Sequence, residues 1–203
     1  MIGCQRGRRA WVLVVLLALG AARAGEGAGL AAWLDEPSPA PWNQPRMAVR
    51  RAPVETGNED PRCRQLERRP ETPEDRAVTR AGWRLFRDYQ AGWGAKVIWA
   101  LVAHDGMCRP MAYQAFVFLG GRFAGTASPA PMASRTDGSL TAVHLMGPPV
   151  QGGSFLSATF LRYTDQDPLC CPSRTTTVRY RVEQRDGAPV LAPAGLDTLP
   201  VSR

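Results

Sequence analysis

The sequence predicts an α+β fold: a single antiparallel β-sheet domain of five to seven strands, with one N-terminal helix and disulfide stabilisation. Three observations carry that expectation. Val178, Tyr180 and Val182 alternate with Arg179 and Arg181, which gives one covered and one wet face, as in antiparallel sheets. Gly120-Gly121 stands between two apolar runs as a two-residue hairpin signal. No long helical segment separates the strand signals, which disfavours a parallel α/β arrangement.

At 203 residues the chain fits one domain with tails better than two domains. Its start reads as an export signal. Arg6, Arg8 and Arg9 form a basic n-region, and Ala10 to Ala22 is apolar apart from Gly20. Ala22-Arg23-Ala24 then places small residues where a signal peptidase cuts, so residues 1–24 read as a signal peptide cleaved after Ala24. Spanning a bilayer takes about 20 apolar residues, and this run is shorter, so an uncleaved anchor is the lesser reading. After cleavage no transmembrane span is expected, and the address is secreted or periplasmic. Cys4, the cysteine nearest the apolar run, precedes it and is misplaced for lipidation.

The formal charge of +7 falls to about +3 once Arg6, Arg8, Arg9 and Arg23 leave with the signal. That balance, without a basic run carrying interleaved aromatics, argues against nucleic acid as a partner. Cleavage also removes Cys4 and leaves Cys63, Cys108, Cys170 and Cys171. An even count in an exported chain reads as a disulfide framework. Direct closure of Cys170 with Cys171 demands an eight-membered ring and is discounted. Both other pairings join Cys63 and Cys108 to the vicinal pair, one each, and each link is expected to contribute roughly 3–5 kcal/mol.

Residues 25–62 are rich in Pro, Ala and charge and read as an extended leader or linker. Trp33 and Trp42 interrupt it, and docking onto the domain is expected of both. The domain proper is placed at residues 63–192, followed by a C-terminal tail at 193–203. Its helix is well signposted: Thr72 caps, Pro73 occupies the first position, and Glu74 and Asp75 favour the positive end of the dipole. Ala77, Val78 and Ala81 form the apolar stripe and Gly82 the stop. Strands are predicted at 97–103, 113–119, 122–127, 140–146, 155–163 and 175–182, the last three each bounded by Gly, Pro or Asp.

Known catalytic patterns are missing. The chain has no Gly-x-Ser-x-Gly elbow, no Ser-x-x-Lys pair and no His-Glu-x-x-His. Asp165 and Asp167 share a loop, but Asp167 precedes Pro168 as turn chemistry prescribes, so no carboxylate pair is assigned. No catalytic residue and no cofactor are assigned. Trp83, Phe86, Tyr89, Trp93 and Trp99 form an aromatic-rich stretch, read as core before stacking platform. His104, Met107, Cys108 and Met111 lie within eight residues, and His144 and Met146 sit two apart on a predicted strand. Imidazole with thioether suits copper(I), so His144 and Met146 are the candidate metal ligands of an alternative reading, a periplasmic copper-binding carrier. The opposing reading has methionine filling core gaps.

The block Asp167-Pro168-Leu169-Cys170-Cys171-Pro172-Ser173, with Val178-Arg179-Tyr180 after it, resembles the LppP/LprE family of bacterial envelope lipoproteins. Phe116-Val117-Phe118 through Gly121-Arg122-Phe123-Ala124-Gly125-Thr126 is similar to that family's strand, glycine turn and Gly-Thr ending. The resemblance covers about residues 96–191 and implies location and architecture without a catalytic residue. The missing lipidation cysteine implies a non-lipidated relative. The sequence therefore predicts an exported, non-enzymatic module that binds an unknown envelope component or protein. A hydrolase with an unrecognised site is a further alternative.

Overall fold

The computed structural model describes residues 29–57, 60–149 and 153–201. The signal segment and its cleavage point lie outside them. In chain order the regular elements are a 3-10 turn Ala32–Asp35, α1 (Pro61–Arg64), β1 (Glu67–Arg68), α2 (Pro73–Arg80), β2 (Arg84–Phe86), β3 (Gln90–Gly92), β4 (Ala95–Leu101), β5 (Ala103–His104), β6 (Pro110–Met111), β7 (Gln114–Leu119), β8 (Arg122–Thr126), β9 (Ser139–Leu145), β10 (Leu156–Arg162), β11 (Arg174–Arg185) and β12 (Ala188–Pro200).

The strands are antiparallel, as predicted, but they make three sheets rather than one. A six-stranded sheet runs β1-β2-β4-β7-β8, with β3 also pairing β4; a four-stranded sheet runs β12-β11-β10-β9; β5 and β6 form a two-stranded ribbon. The reason lies in β4 and β7, which are apolar on both faces. Val97, Trp99, Leu101, Ala115 and Val117 enter one core cluster. Ile98, Ala100, Phe116 and Phe118 enter another. A helix of eight residues is too small to cover two faces of such a sheet. Here α2 and the leader cover the second cluster through Val78, Val49 and Ala52, while the four-stranded sheet covers the first through Val143, Phe160, Tyr180 and Leu191. The four-stranded sheet keeps the alternation read from its sequence, with Val178, Tyr180 and Val182 buried and Arg179 and Arg181 outward.

Local signals held where the backbone chemistry was explicit. Thr72 Oγ1 accepts from the Asp75 amide while Asp75 accepts from the Thr72 amide, a reciprocal capping box that starts α2. Gly82 follows the helix at φ +93°. Gly120 and Gly121 join β7 to β8 with both φ values positive, 56° and 76°, as the tight turn requires. The last strand, β12, runs through Pro200, into the segment expected as a tail.

The leader is extended but not a spacer. Trp33 packs edge-on to Trp42 at 5.0 Å and to Phe160 at 5.1 Å. Arg162, 3% exposed, pairs with Asp35 at 2.8 Å and Asp137 at 2.9 Å, tying the 3-10 turn to β10. Asn43, 1% exposed, lies between the edge strands of the two larger sheets. Its Nδ2 donates to the carbonyls of Thr126 on β8 (3.0 Å) and Leu191 on β12 (2.9 Å), and its Oδ1 accepts from the Thr126 amide (2.9 Å). Gly125 is obligatory beside it: φ is +138°, and a Cβ there would stand 2.2 Å from Asn43 Cγ. Farther on, Trp83 Nε1 donates to Arg50 O at 2.8 Å, which seats the leader over α2's side of the six-stranded sheet.

Asp75 supplies a pH-dependent part of the stability. Burial of its carboxyl opposes ionisation, but the Arg68 guanidinium and the amides of Thr72 and Glu71 outweigh that and lower its pKa from 3.8 to about 2. A carboxylate whose folded pKa is depressed contributes stability above its unfolded value and loses it as pH falls through the folded one. Its side chain is 0% exposed, and the shift corresponds to about 2 kcal/mol. Denaturant unfolding of Asp75→Asn beside the parent is expected to show that difference at pH 6 and to find it largely gone by pH 2; a gap that does not change over this window contradicts the assignment.

Candidate functional site

The cysteines pair differently from the expectation. Cys63, in α1 and 0% exposed, is bonded to Cys108, with Cα atoms 4.9 Å apart. Cys170 and Cys171 are bonded to each other. The links from Cys63 and Cys108 to the vicinal pair are therefore overturned. The fold explains why: Cys63 is enclosed against the turn that carries Cys108, and its sulfur is spent there. Cys170 and Cys171 sit exposed in the β10–β11 loop and are left with each other. That loop is organised by Asp167, whose carboxylate accepts from the Thr164 amide (2.8 Å), the Ser173 amide (3.2 Å) and the Ser173 hydroxyl (2.8 Å). The Thr164 amide first, then the Ser173 hydroxyl, hold its pKa below the usual carboxylate range. Asp167 is a turn-forming residue, as the sequence predicted.

The soft-ligand candidates are dispersed among different roles. His104 is buried with its Nε2 3.2 Å from Glu67 Oε1, Met107 is exposed at 69%, and Cys108 is in a disulfide. His144 and Met146 both lie exposed at the β9 edge of the four-stranded sheet, and Met146 Sδ accepts from the Ser157 hydroxyl at 3.4 Å. Among the described residues no three His, Cys, Asp or Glu side chains are grouped to hold a metal ion. Of the aromatic stretch, Trp83, Phe86 and Trp99 are buried in the two core clusters, and Trp93 is 53% exposed.

Two hollows among the described residues place several charged groups close together. The larger, about 700 Å³, opens over Arg181 and Glu183. Its charges are already matched, because Glu183 pairs with both Arg181 and Arg185. The smaller, about 260 Å³, lies where the two large sheets meet and is lined by Arg87, Arg109, Tyr113, Arg135, Ser139 and Leu161, among others. Arg87 follows β2, Arg109 leads into β6, and Arg135 precedes β9, so three loops distant in sequence converge there. Arg87 lies over the Trp99 and Phe86 rings, 4.9 and 5.6 Å from their centroids, and donates to Thr141 O at 3.3 Å. Arg109 is neutralised by Asp105 at 2.5 Å. Tyr113 donates to Leu140 O at 2.8 Å; burial first raises its pKa, and the neighbouring Arg87 charge opposes that rise. None of these arginines stood out in the sequence, since only folding assembles them.

The LppP/LprE lipoprotein family model matches residues 95–185. This bears out the family resemblance read from the sequence. The matched stretch runs from β4 into β11, so it includes parts of both large sheets, the Gly125-Thr126 seat of Asn43 and the Cys170-Cys171 loop. No curated protein and no solved structure matches the chain.

The pairing makes a direct prediction. Peptide mapping of the unreduced protein is expected to find Cys63 linked to Cys108 and neither linked to Cys170 or Cys171. Cys63→Ser with Cys108→Ser opens a 45-residue separation and is expected to cost about 4 kcal/mol of stability. A Cys63–Cys170 or Cys63–Cys171 peptide overturns the pairing.

Proposed function

We propose that this chain is an exported envelope module, released after cleavage following Ala24, that binds an envelope component or partner protein and catalyses no reaction. The Cys63–Cys108 bond carries the location. A buried disulfide between an N-terminal helix and a distant turn persists in an oxidising compartment and is reduced in a cytosol. The match to an envelope lipoprotein family supports the same address. No helix among the described residues is long and apolar enough to cross a membrane.

The binding role rests on the chemistry of the inter-sheet cleft. Its polar groups are guanidinium ions, a phenol with a raised pKa and a hydroxyl. Guanidinium stays protonated at physiological pH, so arginines there recognise acceptors but do not shuttle protons. Such a set suits recognition more than acid–base catalysis. The position of Cys4 ahead of the apolar run supports a non-lipidated product.

Cell fractionation of the natural host with intact-mass analysis tests the reading. The expected product lies outside the cytoplasm, begins at Gly25, carries no lipid mass and has Cys63 oxidised. A cytosolic product with reduced thiols, or one carrying acyl chains, contradicts it.

A further inference from the structure

The inter-sheet cleft carries more cationic donors than the fold uses. Arg135 is exposed and makes no hydrogen bond or ion pair among the described residues, although it lines the cavity. Arg87 has no carboxylate partner there either; its one hydrogen bond goes to a backbone carbonyl. The neighbouring charges are accounted for: Asp105 is spent on Arg109 and Asp137 on Arg162, and no carboxylate lines the cavity. An independent observation comes from Ser139. It is 2% exposed, it lines the same cavity beside Tyr113, and its hydroxyl makes no hydrogen bond of normal geometry among the described residues. A buried hydroxyl left unmatched costs on the order of 1–3 kcal/mol, so folds normally satisfy it with protein, water or ligand.

We propose that this cleft is a binding site for a phosphate-class oxyanion, with Arg87 and Arg135 supplying the charge and Ser139 a hydroxyl donor. The chemistry favours phosphate over a simple carboxylate because two unpaired guanidinium groups from separate segments and a hydroxyl line one cavity, and a tetrahedral dianion offers more acceptor oxygens and more charge than a carboxylate. Guanidinium groups match phosphate through paired, charge-assisted N–H donors. Arg87 is held in advance by stacking on Trp99 and Phe86, which lowers the ordering cost of binding. A cavity of about 260 Å³ accommodates a phosphate group together with part of the molecule that bears it. The inference rests on the binding role proposed for this cleft and does not depend on the export reading.

The test is a titration of the purified, oxidised protein with inorganic phosphate, against chloride and acetate at matched ionic strength, followed by amide NMR shifts. Saturable shifts at Ser139, Leu140 and Thr141 are expected with phosphate alone. Arg135→Ala and Ser139→Ala are each expected to weaken binding by about tenfold, which is the loss of one charge-assisted or buried hydrogen bond. Among the described residues the Arg135 side chain makes no hydrogen bond or ion pair and the Ser139 hydroxyl makes none of normal geometry, so both variants are expected to fold as the parent does. A second arm uses sedimentation with phosphatidylglycerol or phosphatidylcholine vesicles. Binding to the anionic vesicles that Arg135→Ala abolishes assigns the phosphate to a lipid headgroup; phosphate binding without vesicle binding assigns it to a soluble phosphate ester. Linear shifts scattered over the surface, equal effects of acetate, or undiminished affinity in both variants overturns the site.

Discussion

One side-chain amide holds the two large sheets in register. Each sheet ends in an edge strand, β8 in one and β12 in the other, and an edge strand presents unpaired backbone groups. Asn43 answers three of them at once, accepting from one amide and donating to two carbonyls. In effect it does for Thr126 what a neighbouring strand would do, while its second N–H reaches across to Leu191. Removing it leaves buried polar groups unmatched, which costs more than the bonds themselves contribute. Trp42 sits beside it with Nε1 donating to the same Thr126 carbonyl at 3.0 Å, so the docking of the leader and the closure of the sandwich are one event.

That arrangement explains how residues of the segment expected as a leader pack onto the sheets. Proline and alanine without periodicity read as extended chain, and extended chain can serve as a strap. A lone asparagine carries no pattern. The available signal was on the receiving side: Gly125 before Thr126, a glycine where a backbone or side chain approaches too closely for a Cβ. Thr72-Pro73-Glu74-Asp75, by contrast, stated its own structure, because capping is local chemistry. The six strands longer than four residues before β12 were legible for a similar reason, since their apolar periodicity or flanking turns are written within each segment. The two- and three-residue strands are too short to carry a period. In β12, Pro189, Pro193 and Gly195 disguise a strand that tolerates them at the sheet edge, where a bulge opposite Arg179 and Tyr180 absorbs the irregularity.

The number of sheets and the disulfide pairing were beyond local reading. Both follow from which faces need cover. β4 and β7 present apolar side chains on two sides, so the six-stranded sheet requires a partner on each, and the second sheet satisfies one of them. Once that packing is set, α1 falls against the Cys108 turn and the pairing is determined. The same convergence creates the candidate site. Arg87, Arg109 and Arg135 belong to loops that meet only because the sheets stack, and Ser139 is buried at their junction. The stacking that closes the sandwich therefore also forms the cleft.

Amide hydrogen exchange at Thr126 probes this account most directly. With Asn43 in place, the Thr126 amide is expected to exchange only through global unfolding, at the same free energy as the core amides of β4 and β7. Asn43→Ala is expected to shift that amide to local opening. Rapid exchange of Thr126 in the unaltered protein, at the rate of an exposed loop amide, would contradict the account.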